Sequence, residues 1–331
     1  MRAKLGRSVR VFALAAAIAV GLAGAARAQN DPAASYPNRI IKIVVGFAAG
    51  GGNDIIARIV GQKLQESLGQ SVIIENKVGA GGRLAAESVA AAPPDGYTLL
   101  VGASGAMSII PAISVKPPYD TLKAFAPVSM LASFPLILSV YPSHPAKTVQ
   151  ELVAWMKANP ERSNYATSSS AFTLATELFK LKSGAPSTAI PYKSSGESLV
   201  AVIAQQSVLT IADPPPTTPL VKGGQVRALA VTSTKRLADL PDVPTMAEAG
   251  IPGIDVGLWS GIFVPAGTPP AIVKKLEAEF RKMMQSPDVQ EKFKAMATPT
   301  VGGSAADFAH AVEVETKMWG EVGRLANVKL E

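Results

Sequence analysis

The 331-residue chain has no cysteine, two histidines and few aromatic residues, 6% of the total. Without cysteine there is no disulfide scaffold, zinc knuckle, iron–sulfur cluster or thiol nucleophile. His144 and His310 stand far apart in the sequence and signal no histidine metal site, so no metal and no cofactor is expected. Charged residues are sparse at 17%, and after the first 28 residues every apolar run is short or broken by Gly, Pro or charge. No later segment therefore reads as a transmembrane helix. Few aromatics, none interleaved with a basic run, give little support to a stacking platform for nucleic acid.

The charge balance looks basic, with 32 Lys and Arg against 25 Asp and Glu. Five of those bases (Arg2, Lys4, Arg7, Arg10 and Arg27) sit in the first 28 residues, which hold no acid. There a basic start precedes the 14-residue apolar run Val11–Gly24, which closes on Ala26-Arg27-Ala28. That is the pattern of a secretory signal peptide cut after Ala28. The run is too short to span a bilayer, which takes roughly 20 residues. The exported chain, with 27 bases against 25 acids, is nearly neutral. Expected is a periplasmic protein, not itself embedded in a membrane, that does not bind nucleic acid.

Past Tyr36, short β-rich runs alternate with stretches of helical period. Ile40–Val45 reads as a buried strand, Gly46–Asn53 as a glycine-rich loop, and Asp54–Leu68 as a helix ended by Gly69. Val72–Glu75, a helix over Leu84–Ala92, the turn Pro93–Gly96 and the strand Tyr97–Val101 follow. A second series has strands Asn164–Thr167, Thr188–Ile190, Val208–Ile211 and Arg227–Thr232. Its helices are Val149–Ala158, Phe172–Lys182 and Ser198–Gln206. Phe134–Val140 reads as a strand between the series and Val256–Val264 as one after the second, and helices end the chain. Repeated β–α steps imply parallel sheets with helices on their faces. The economical architecture is α/β with two lobes, two mainly parallel sheets joined by two crossover strands. Residues 29–134 with 256–331 would form lobe 1, and residues 135–255 lobe 2. Clefts between such lobes are where small ligands bind.

Phe47-Ala48-Ala49-Gly50-Gly51-Gly52-Asn53-Asp54 joins a strand to a helix. Backbone N–H groups there favour an anion without any cationic side chain. The same glycines also suit a tight turn, with Asn53 or Asp54 capping the helix. It is no Walker-type loop, because Gly52-Asn53 stands where Lys-Ser/Thr is required. Gly79-Ala80-Gly81-Gly82 fails the dinucleotide fingerprint at Leu84 and reads as a turn feeding a helix. Gly102-Ala103-Ser104-Gly105-Ala106 falls short of a nucleophile elbow, leaving Ser104 as a ligand donor or a helix cap. Thr167-Ser168-Ser169-Ser170 offers hydroxyls at a second helix start, again either as ligand donors or as ordinary caps. Asp213 closes a strand at the same rim, as an acceptor for a ligand or a turn former. No catalytic residue is assigned.

Taken in order, these stretches resemble the substrate-binding proteins of the tripartite tricarboxylate transporter family, the Bug-type receptors. The resemblance rests on Tyr36-Pro37, residues 47–54 with Arg58, Glu75–Gly82, Pro94–Leu100, Pro191-Tyr192-Lys193, Gly224–Arg236, Leu240–Thr245 with Glu248-Ala249-Gly250, and Trp259 with Phe263–Pro269. It implies a periplasmic-binding-protein fold of the type 2, Venus-flytrap kind. It also implies a small carboxylate as ligand (a di- or tricarboxylate, or a related organic or amino acid), and membrane transporter subunits or a sensor kinase as partners. Asn53, where the family usually has Thr, and the glycine-free run Thr167–Phe172 are departures. The expected site is Phe47, Ala48, Gly50, Gly51, Gly52, Asn53, Asp54, Ser104, Thr167, Ser168, Ser169 and Asp213, in a monomer that is not an enzyme. The rivals are a hydrolase-like periplasmic enzyme on a similar fold, and a receptor for a neutral or aromatic ligand walled by Phe47, Phe172 and Trp259.

Overall fold

The computed structural model describes residues 33–326; the expected signal peptide and its cleavage after Ala28 lie outside them. The chain divides into two compact units, Met1–Tyr36 and Pro37–Glu331. Of the first, the described residues form a turn in which the Tyr36 N–H donates to the Ala33 carbonyl at 3.4 Å. The described strands and helices lie in the second. In chain order the strands begin β1 (Ile41–Val45), β2 (Val72–Asn76), β3 (Thr98–Ala103), β4 (Phe125–Pro135) and β5 (Ile137–Val140). They continue as β6 (Asn164–Thr167), β7 (Thr188–Pro191), β8 (Leu209–Ala212), β9 (Arg227–Val231) and β10 (Gly257–Pro265). The longer helices are α1 (Gly52–Leu68), α2 (Arg83–Ala90), α3 (Val149–Ala158), α4 (Ser170–Ser183) and α5 (Ser195–Ile203). After these come α6 (Pro214–Lys222), α7 (Pro270–Met284), α8 (Pro287–Ala295) and α9 (Ala305–Ala326).

Two five-stranded sheets result, ordered β2-β1-β3-β10-β4 and β7-β6-β8-β5-β9. The second repeats the plan of the first. In each, three strands pair in parallel, the fourth runs against both its neighbours, and the outer fifth resumes the original direction. The reversed strand is in each case the one that has just entered from the other sheet: β5 directly after β4, and β10 after β9. The sheets are thus mixed in pairing while four of five strands point one way, which refines the mainly parallel expectation.

Local chemistry explains most boundaries. The β1 residues Ile41, Ile43, Val44 and Val45 are buried, as a strand flanked on both edges and covered by helices requires. Helix α1 buries Ile56, Val60 and Leu64, one apolar row at a spacing of four. Its C-terminus stops at Gly69, which takes the left-handed conformation at φ 66° and donates its N–H to Gln65. The expected strand Phe134–Val140 is two strands that part at Leu136, because this short segment is where the chain passes between sheets. Pro214–Lys222 is a helix despite its prolines. Its first three residues are Pro214, Pro215 and Pro216, positions whose N–H groups have no intrahelical acceptor in any helix.

The first sheet packs its aromatic core on α9. Phe263 lies 4.8 Å from Phe308 and 6.0 Å from Phe125 between ring centroids, and Trp259 meets Phe308 edge-on at 5.0 Å. These pairs fix β10, and with it the indole of Trp259. Among the described residues, no helix is long and apolar enough to cross a membrane.

Candidate functional site

Each sheet has a point where successive connections leave in opposite directions, at β1/β3 in one and β6/β8 in the other. Ligands of open α/β sheets bind beyond the carboxyl ends of strands at such points. A cavity of about 410 Å³, mouth included, lies there. Phe47, Gly51, Gly52 and Asn53 reach it after β1; Ala103, Ser104 and Gly105 at the end of β3; Ser168 and Ser169 after β6. Ala171 and Phe172 of α4, Ser195 at the start of α5 and Asp213 after β8 add the far wall. Phe134, Leu258 and Trp259 close it from the crossover strands.

The two loops meet through backbone. The Ala48 N–H donates to the Lys193 carbonyl at 3.1 Å, and the Gly52 N–H to Ser195 Oγ at 3.3 Å. A Cβ on Gly196 would lie 2.5 Å from the Gly50 carbonyl oxygen, so no other residue allows this approach. A Cβ on Gly52 would lie 1.7 Å from Asp213 Oδ2. The Asp213 carboxylate therefore rests directly on the N-terminal turn of α1.

That placement changes the expected roles. Of the glycine loop's donors, Gly50 N–H bonds Asp54 Oδ2 at 3.0 Å, Gly51 N–H bonds the Ala48 carbonyl at 3.3 Å, and Gly52 N–H bonds Ser195. The donors of this helix end without intrahelical acceptors are then those of Asn53 and Asp54. The N-cap is Gly51, with no side-chain cap, so neither Asn53 nor Asp54 caps α1. Asn53 lines the cavity with its Oδ1 accepting from Ser260 Oγ at 2.7 Å. Asp54 turns inward instead. It accepts from Arg58 Nε and Nη2 at 2.9 Å each and from Asn76 Nδ2 at 2.9 Å. Burial pushes its carboxyl up, but those bonds and the Gly50 N–H outweigh it and hold it below the ordinary carboxylate range. Asn76 also donates to the Phe47 carbonyl, so Asp54, Arg58 and Asn76 together set the loop's shape.

Phe47, Gly51, Gly52, Asn53, Ser104, Ser168, Ser169 and Asp213 thus come together around one cavity. Ala48, Gly50, Asp54 and Thr167 stand behind its wall, serving loop contacts; Thr167 Oγ1 pairs with Thr173 Oγ1 at 3.0 Å. Ser169 caps α4, accepting from the Phe172 N–H at 3.4 Å. That leaves the N–H groups of Ser170 and Ala171 as the open end of α4. Ser104, Ser168 and Ser170 each bury a hydroxyl with no partner. The wall also includes Ser195, Phe134, Leu258 and Ala171, which sequence reasoning passed over.

Asp213 is 2% exposed. Burial pushes its carboxyl up to about 6, against the opposing pull of a hydrogen bond from Ser195. Its Oδ1 has no partner. Asp213 precedes α6 and would ordinarily cap it, but Pro214, Pro215 and Pro216 carry no N–H. No Lys, Arg or His lines the cavity. His144 is buried elsewhere, between Tyr141 and Trp155 at 4.9 Å from each ring. Behind Trp259, Glu315 Oε2 accepts the indole N–H at 2.5 Å. Among the described residues no group of His, Asp and Glu could hold a metal ion.

Comparison with known proteins adds to this geometry. The model of the tripartite tricarboxylate transporter family receptor matches residues 56–327. Protein BugT of Bordetella pertussis is 35% identical over 325 residues, covering 96% of this chain and 98% of its own. Among solved structures, R. palustris Rpa4515 with adipate is 36% identical, with a TM-score of 0.84 over 88% of this chain and 99% of that one. MatC from Rhodopseudomonas palustris with bound malate is 32% identical, with a TM-score of 0.83 over 87% and 99%.

Proposed function

Because the chain belongs to the tripartite tricarboxylate transporter receptor family, we propose that it is a periplasmic receptor that binds a small carboxylate in the cavity and delivers it to a membrane transporter or sensor, without catalysis. The observation that carries the reading is a buried cavity with open helix-end N–H groups and unpartnered hydroxyls but no cationic side chain. Such a site favours a carboxylate through oriented dipoles. Ser104, Ser168 and the Ala171 N–H would take one carboxylate, with Asn53 also lining the cavity. Phe47, Phe134, Phe172 and Trp259 would flank the ligand's apolar part. The adipate and malate in the two solved relatives are small dicarboxylates, in keeping with this reading.

A thermal-shift screen of carboxylates, amino acids, aromatic acids and sugars tests the reading. At a hundred times Kd a ligand stabilises by about 2.7 kcal/mol, well above noise. Shifts from carboxylates support the proposal; shifts from sugars with none from any carboxylate refute it.

A further inference from the structure

Asp213 is the one ionisable side chain among the cavity's lining residues. The prolines after it remove its usual use as a cap, Ser195 meets it on one side, and Oδ1 is left without a partner. No cation in the lining neutralises it. A carboxylate ligand entering the same cavity would add a second negative charge, and two carboxylates sharing a site oppose each other's ionisation. A ligand hydroxyl could donate to Oδ1 but would leave that charge unbalanced. A ligand ammonium does both: it donates a charge-assisted hydrogen bond and neutralises the buried acid.

We infer that Asp213 reads an ammonium group, so that the cavity selects zwitterionic amino carboxylates over hydroxy or unsubstituted acids of the same skeleton. The ligand would lie with its carboxylate toward Ser104, Ser168 and the start of α4, and its ammonium toward Asp213 Oδ1. This rests on the carboxylate reading above and adds the specificity of one pole of the site.

The test is calorimetric titration of the purified protein with acids of two to six carbons, each skeleton supplied in amino, hydroxy and unsubstituted form; aspartate, malate and succinate are one such triplet. Within the skeleton that binds best, the amino acid should be favoured about tenfold or more over the unsubstituted acid, with the hydroxy acid between them. In Asp213→Asn, checked for folding by circular dichroism, that preference should collapse to about threefold or less. An unsubstituted acid binding wild type as tightly as its amino counterpart overturns the inference, whatever the variant does. A preference that survives intact in a folded Asp213→Asn also overturns it. If no acid of any kind binds, the carboxylate reading itself fails, and this inference falls with it.

Discussion

Asp213→Asn should stabilise the ligand-free protein near neutral pH. Burial pushes the wild-type carboxyl up to about 6 in the fold, from the ordinary 3.8. An acid whose pKa is raised by folding binds more protons folded than unfolded, so its contribution worsens as pH rises. The penalty is absent below about pH 4, grows between about 4 and 6, and is complete above that. At 1.36 kcal/mol per unit, the gap amounts to about 3 kcal/mol. Asn removes the charge while keeping an acceptor for the Ser195 hydroxyl. Its new N–H donors offset part of the gain, leaving about 1–2 kcal/mol net. The measurement is urea unfolding of both proteins at about pH 7.5, 6 and 4.5, followed by circular dichroism and tryptophan fluorescence, using conditions where the two transitions coincide. The variant's advantage should shrink toward zero at the lowest pH. A variant less stable than wild type at pH 7.5, or an advantage independent of pH, would refute the reasoning.

Gly52→Ala places a methyl group 1.7 Å from Asp213 Oδ2, so it should hold the loops apart; affinity should fall by about tenfold or more with an unchanged circular dichroism spectrum, as titration would show. Asp54→Ala strands Arg58, Asn76 and the Gly50 N–H, and should cost about 2–3 kcal/mol in urea unfolding. Because Asp54 is held below the ordinary carboxylate range, the wild-type protein keeps this contribution at neutral pH and loses it as pH falls below that range, whereas Asp54→Ala should lack that acid limb. Glu315→Ala frees the indole of Trp259; its fluorescence should shift and broaden, and ligand affinity should weaken while the fold persists. Finally, Kd should change less than about threefold between ~20 mM and ~500 mM salt, because buried dipoles are screened far less than surface charges; a steep dependence measured by titration would point to cationic contacts that the cavity lacks.

The sequence displays the frame of this site because the frame follows from periodicity. The β1 strand, its glycine loop and α1 are adjacent in the chain, and parallel β–α steps put the loops after β1, β3, β6 and β8 on the sheets' carboxyl rims. What escaped has identifiable causes. Ser195 was hidden by starting its helix at Ser198, although Ser194-x-x-Glu197 is a capping box: Ser194 Oγ accepts the Glu197 N–H at 3.2 Å, and Glu197 accepts the Lys193 N–H at 3.0 Å. Helix α6 after Asp213 was hidden because a proline run signals no helix unless the missing donors of a helix's first turn are counted. Asp54 reads as a helix cap or a ligand residue, yet Arg58 four residues on is the spacing of a helical ion pair. Phe134 and Leu258 were beyond such reasoning: they reach the cavity because β4 and β10 carry the chain between sheets, a tertiary fact with no local signature.

In the proposed receptor, a ligand would add to the contacts that hold the two lobes together. Hydrogen bonds cross the interface from Ala48 to Lys193, Gly52 to Ser195, Thr218 to the Met296 carbonyl and Lys222 to the Ala295 carbonyl, each contributing roughly 1 kcal/mol or less. Burying Asp213 in the same interface costs about 3 kcal/mol near neutral pH, comparable to what those bonds supply. Glycines at 50, 51, 52 and 196 allow close approach but add little apolar area. A ligand shifts such a balance only through contacts made in the closed arrangement and not in the open one. An ammonium bonded to Asp213 Oδ1 would be such a contact, because the start of α1 lies against that carboxylate here. The acid that costs the fold stability would then be the group through which a correct ligand closes the receptor and an unsubstituted acid does not.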